Sequence, residues 1–145
     1  MKIAIAADHG GFELKQSLMD YYQGKKGDVL LEDLGTHSKE SCDYPDIAKL
    51  VVEKVLNKEC EYGILICGTG VGISITANRY KGIRAALVYD EFVAKVVKEH
   101  NNANILVFGG RTMSLGDVVT YIEIFNSAKF EGGRHERRVE KMDCL

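Results

Sequence analysis

Cys67 stands where an apolar run, Gly63-Ile64-Leu65-Ile66, meets a loop with glycine at every second position, Gly68-Thr69-Gly70-Val71-Gly72. A strand passing through such a loop into a helix turns several backbone N–H groups toward one spot, which makes an anion cradle. A thiol beside converging donors at a helix start is favoured as its thiolate. The stretch therefore joins a candidate base to a cradle for developing negative charge. Taken alone, it also fits a tight packing turn around a space-filling cysteine, since free cysteine is often buried. Two nucleotide motifs are excluded. The G-x-G-x-x-G pattern fails because Ile73 or Ile75 holds the third glycine position. The P-loop fails because Thr69-Gly70 follow Gly68 where Lys-Ser/Thr is required.

Other side chains could act beside this loop. Asp8-His9 follow an apolar run and precede Gly10-Gly11. Asp caps helices well, but the same place can face a ligand, with His9 toward a phosphate and Asp8 toward a hydroxyl. Arg134 and Arg138 are four residues apart and share one helix face. Their guanidinium groups suit bidentate phosphate contact, and a solvated basic helix end is the alternative. Arg111, after Gly109-Gly110, is a third candidate cation. His100 closes a helix, where the dipole favours a cation. His37 lies in a polar loop and receives no role. Cys42, Cys60 and Cys144 lack a reactive setting, and Glu140 and Lys141 read as surface groups.

The elements that must position these groups alternate along the chain. Strand patterns cover residues 2–7, 28–34, 63–67, 84–88 and 104–108. Helical patterns cover 12–22, 45–56, 73–80, 91–100 and 115–128, and Gly132-Gly133 precede a short C-terminal helix. Pro45 suits a first helical turn, with Asp43 or Tyr44 near the cap, and Ser114 is a candidate N-cap. Five β–α units in series predict an α/β, Rossmann-like three-layer sandwich: a five-stranded parallel sheet flanked by helices, plus the C-terminal helix. Ligands of such folds bind beyond the carboxyl ends of the strands. Three polar segments leave strands there: Asp8-His9-Gly10-Gly11, the Cys67–Gly72 loop and Gly109-Gly110-Arg111.

The chain has 145 residues, the size of one domain spanning 1–145, and a formal net charge of −2. The spread charges give no reason to expect nucleic acid or a membrane as partner, and the apolar run 3–7 is too short for a secretory signal or a membrane span. The four cysteines form no C-x-x-C pair and no His pair has zinc-finger spacing, so no metal is expected. They read as free thiols of a reducing cytosol, hence a cytoplasmic location.

Together, Asp8-His9-Gly-Gly-Phe, Asp43-Tyr44-Pro45-Asp46, Cys67-Gly-Thr-Gly-Val-Gly-Ile-Ser, Gly82-Ile-Arg84-Ala, His100-Asn101, Asn104 and Glu131-Gly-Gly-Arg-His resemble ribose-5-phosphate isomerase type B and its galactose-6-phosphate isomerase relatives. The likeness runs from Lys2 to about Val139 in the same order. It implies interconversion of an aldose phosphate and a ketose phosphate with no metal and no organic cofactor. It implies Cys67 as the base between C2 and C1, Thr69 as assistant to proton transfer at the oxygens, and His100 in ring opening. The amides from Gly68 to Gly72, those of Gly68, Gly70, Val71 and Gly72 among them, would hold the enediolate, and Ser74 would bind substrate. His9, Arg111, Arg134 and Arg138 would hold the phosphate, and Asp8, Tyr44 and Asn101 the sugar. The resemblance further implies a homodimer or homotetramer whose site is shared between subunits, His100 coming from the neighbour. A branch using a glutamate in place of the cysteine is set aside, because Ile73 stands near that place. The alternatives are a galactose-6-phosphate isomerase subunit, activity on allose 6-phosphate, and a nucleotide-binding module.

Overall fold

The computed structural model describes residues 1–145. In chain order it contains β1 (Lys2–Ala7), α1 (Phe12–Gly24), β2 (Leu30–Asp33), α2 (Tyr44–Leu56), β3 (Tyr62–Cys67), α3 (Val71–Ala77), β4 (Ala85–Leu87), α4 (Glu91–Glu99), β5 (Ile105–Gly109), α5 (Leu115–Ser127) and α6 (Arg134–Asp143). The five strands form one sheet in the order β2-β1-β3-β5-β4, and every pairing is parallel. This is the predicted Rossmann-like sandwich with its extra C-terminal helix.

The apolar runs of β3 and β5 are explained by burial on both faces, which parallel sheets require. Alternate strand residues serve opposite layers. Ile3, Ile5, Ile64, Ile66, Leu106 and Phe108 pack against α1, α4 and α5, and Ala4, Ala6, Leu65, Ile105 and Val107 pack against α2 and α3. Each fully buried aliphatic side chain contributes roughly 1.5–3 kcal/mol. Gly63 lets α2 lie close to the sheet, because a side chain there would strike Val51.

Several boundaries differ from the sequence expectation, each for a local reason. The helix after the glycine loop begins at Val71, not 73. Gly70 has φ +83°, a left-handed turn that glycine adopts freely, and this swings the chain into the helix at once. β4 shrinks to three residues. Just before it, the Arg84 N–H donates to Asn104 Oδ1 at 2.7 Å, and Asn104 Nδ2 donates to the Gly82 carbonyl at 2.8 Å, so a side chain replaces the ladder. Ser114 caps α5 as expected, accepting from Asp117 N–H at 3.2 Å.

The direction of each element decides the geography of function. Helices α4 and α5 run back across the sheet, so their last residues lie at the amino edge of the strands. Strands of five or six residues at about 3.3 Å per residue hold the two edges roughly 15 Å apart. α6 belongs to the amino edge. Glu131 N–H donates to the Glu99 carbonyl at 3.0 Å just before it, and Arg84 pairs with Asp143 at 3.1 Å near its end.

Candidate active site

At the carboxyl edge three loops meet backbone to backbone. Gly110 N–H donates to the Cys67 carbonyl at 2.8 Å, and Arg111 N–H donates to the Gly68 carbonyl at 2.9 Å. A side chain at Gly10 would come within 2.9 Å of the Gly68 nitrogen, and one at Gly110 would strike the Gly10 carbonyl. Asp8 is buried, and its Oδ1 accepts from the amides of Gly10 (2.9 Å) and Gly11 (3.2 Å). Its carboxylate therefore sets the turn that carries His9. His9 Nδ1 accepts from the Cys42 amide at 3.2 Å, so the ring is oriented and a neutral imidazole keeps its proton on Nε2.

Between this turn and the start of α2 lies a cavity of about 510 Å³ lined by Asp8, His9, Cys42, Asp43, Tyr44 and Asp46. Tyr44 joins it to the glycine loop. A Cβ at Gly72 would lie 2.7 Å from Tyr44 Cζ, so the phenol ring rests directly on that glycine.

Cys67 ends β3 and is 5 % exposed. The Gly70 N–H donates to its sulfur at 3.1 Å, and a donor aimed at sulfur stabilises negative charge there. Thr69 is exposed, and its Oγ1 accepts from the Val71 amide at 3.2 Å. Ser74 lies partly buried in α3. The Arg111 guanidinium lies along Gly68, 3.2 Å from where a Cβ would sit, and forms no ion pair. Eleven predicted site residues therefore share one edge: Asp8, His9, Tyr44, Cys67, Gly68, Thr69, Gly70, Val71, Gly72, Ser74 and Arg111.

The remaining four, His100, Asn101, Arg134 and Arg138, lie at the amino edge of the same chain. His100 follows the last turn of α4, and its ring stacks on His135 with centroids 4.1 Å apart and planes 5° apart. Both Nε2 atoms lie near one oxygen, Glu131 Oε1, at 3.6 Å from His100 and 3.5 Å from His135. Burial holds the His135 imidazole below its usual pKa, and the neighbouring His100 and Arg134 act in the same direction. Glu131 opposes them. Arg134 and Arg138 are exposed and form no ion pair within the chain. The amino edge also carries a cavity of about 560 Å³ lined in part by Arg79, Arg84, Asn101, Met142 and Asp143, with no residue of the Cys67 loop.

His100, Glu131 and His135 are the one set of three ligating side chains whose donor atoms approach within 4.8 Å. His135 and Glu131 had no role in the sequence reading, although their four-residue spacing was visible. The Cys42 amide that orients His9 left no sequence signal, since any residue but proline supplies one. No helix is long and apolar enough to cross a membrane.

Comparison with known proteins places this geometry. The ribose/galactose isomerase family profile matches residues 3–142. Ribose-5-phosphate isomerase B of Escherichia coli K12 is 41 % identical over 144 residues, covering 99 % of this chain and 95 % of that one. The crystal structure of a Thermotoga maritima ribose 5-phosphate isomerase superposes with a TM-score of 0.95 at 51 % identity, covering 99 % of this chain and 98 % of the other. A Mycoplasma genitalium ribose-5-phosphate isomerase B, solved with bound ribulose-5-phosphate, gives a TM-score of 0.88 at 40 % identity over 99 % of this chain and 94 % of that one. The chain therefore belongs to the ribose/galactose isomerase family, is of its ribose-5-phosphate isomerase B type, and is an aldose–ketose isomerase.

Proposed function

We propose that the protein interconverts ribose 5-phosphate and ribulose 5-phosphate through an enediolate, with Cys67 as the base. The observation that carries this reading is the Gly70 amide donating to the Cys67 sulfur at 3.1 Å, at the strand edge where Asp8, His9, Tyr44 and Arg111 converge. Removing a proton beside a carbonyl needs a base poised near working pH. It also needs fixed donors where the oxyanion forms. The Cys67 thiolate takes the C2 proton of the open-chain aldose. Charge moves onto the C1 oxygen, which the amides from Gly68 to Gly72 receive, with Ser74 beside them. The Cys67 thiol then returns the proton to C1, while Thr69 assists proton transfer between the two oxygens.

The cyclic sugar has no carbonyl, so a separate group must open it, and we assign this to His100. His9, Arg111, Arg134 and Arg138 grip the phosphate, whose binding energy holds the reacting end in place. Asp8, Tyr44 and Asn101 contact the sugar hydroxyls. A separation of roughly 15 Å between the sheet edges is beyond the reach of a side chain. The working site therefore takes Cys67 from one chain and His100, Asn101, Arg134 and Arg138 from a second copy, in a homodimer or homotetramer. No metal or organic cofactor enters the scheme. The four free cysteines suit a reducing compartment, and we place the enzyme in the cytoplasm.

The test is an assay of the homogeneous chain with ribose 5-phosphate, allose 6-phosphate and galactose 6-phosphate side by side. Turnover of ribose 5-phosphate by the single chain is expected. Dependence on a second, different polypeptide, or turnover of the hexose phosphates alone, overturns this assignment.

A further inference from the structure

We propose that Glu131 and His135 are positioning residues for His100, forming with it a cluster that holds one proton and presents it from His100. This deepens the reading above, because it rests on His100 as the ring-opening group. The geometry carries it. The His100 and His135 rings are parallel within 5° at 4.1 Å, and both place Nε2 within 3.6 Å of the same carboxylate oxygen. Two imidazolium ions cannot share that spacing cheaply, and one carboxylate balances one positive charge. The cluster therefore takes up a single proton.

Exposure decides which ring holds it. The His135 side chain is 9 % exposed and the His100 side chain 38 %. Water stabilises the cation on His100, whereas burial disfavours it on His135. The surrounding charges act in the same sense. Arg134 and Arg138 of α6 and His100 just after α4 disfavour charge on His135, and only Glu131 favours it. The neutral His135 ring is thus a flat platform that fixes the plane of His100. Glu131, anchored by its N–H on the Glu99 carbonyl, supplies the counter-charge. His100 Nδ1, which has no hydrogen-bond partner in the chain, is left to pass the proton to the sugar ring oxygen.

The test separates ring opening from proton abstraction. Ribulose 5-phosphate has no free hydroxyl with which to close a furanose, so solvent-deuterium exchange at its C1 bypasses ring opening. Glu131→Gln and His135→Gln should each lower kcat for ribose 5-phosphate roughly tenfold, less than the roughly 10²- to 10⁴-fold that a general acid itself supplies, while C1 exchange changes far less. Glu131→Gln should also shift the His100 ring-proton NMR signals, because the carboxylate beside Nε2 is gone. Glu131 is exposed, so its variant keeps the proposal testable if His135→Gln folds poorly. Wild-type rate ratios in both variants with unmoved His100 ring signals would overturn the proposal. His100→Gln tells the two readings apart. If it opens ribose 5-phosphate normally, the role of His100 itself fails. If it is slow while the Glu131 and His135 variants are normal, only the positioning role fails.

Discussion

The two edges of the sheet are built in different ways. At the carboxyl edge the backbone holds everything: Gly10, Gly68 and Gly110 pack main chain against main chain, and the Gly70 amide meets the Cys67 sulfur. At the amino edge side chains do the work. Two imidazoles stack over one carboxylate, Asn104 bridges Gly82 to Arg84, and Arg134 and Arg138 extend from α6 without partners. The first edge has a candidate base and an anion cradle but few cations. The second has cations and a candidate proton donor but no anion cradle. On the reading proposed above, each is half of a sugar-phosphate isomerase site, and the arginines that form no ion pair in their own chain share one helix face to meet the phosphate of the other half.

The largest effect should come from removing the base. Cys67→Ala is expected to lower kcat by at least about 10³-fold with an unchanged circular dichroism spectrum, in line with the upper range for acid–base groups. Turnover comparable to the parent would discard the carboxyl edge as the chemical half. Mixing the halves sharpens the contrast further. Cys67→Ala and His100→Gln chains, each nearly inactive, should recover about a quarter of parental activity when refolded together, because half the dimers are mixed and each has one intact site. Mixtures that stay inactive would mean that the two edges do not meet across chains.

Arg138→Ala should raise KM for ribose 5-phosphate by roughly 10- to 100-fold, the loss of one charge-assisted hydrogen bond, with little change in melting temperature. A changed kcat at constant KM would argue against phosphate contact. Asn104→Ala should cost about 1–3 kcal/mol by urea unfolding, since it leaves the Arg84 amide and the Gly82 carbonyl unpaired. The smallest effect concerns acid. The folded state holds His135 below its usual pKa, so the unfolded chain binds that proton more readily, and stability falls as pH drops below about 6.5. Between pH 7 and pH 5 the parent should lose more melting temperature than His135→Gln. Equal losses would show that the stack does not resist protonation.

Much of this was legible in the residues themselves. Alternating apolar runs and amphipathic stretches located all eleven elements, and Ser114 announced its own cap. The Cys67 loop was readable because glycine, thiol and strand end are local features. Element ends were harder to read. The start of α3 moved to Val71 because Gly70 takes a left-handed turn, and β4 shortened because Asn104, twenty residues away from Arg84, takes over its pairing. The stack of His100 on His135 joins residues of two helices that a whole β–α unit separates, and no periodicity reports such a contact.

The amino-acid sequence by itself determined the order of strands and helices, the side-chain types able to move a proton or grip a phosphate, and membership of a family. Those follow from local pattern and from motif chemistry. Only the tertiary structure decided which of those side chains stand together. A parallel sheet sends every strand the same way and every helix back, so the end of β3 and the end of α4 face opposite edges however near they lie in the chain. That geometry divides the candidate site into two halves and sets His135 and Glu131 behind His100.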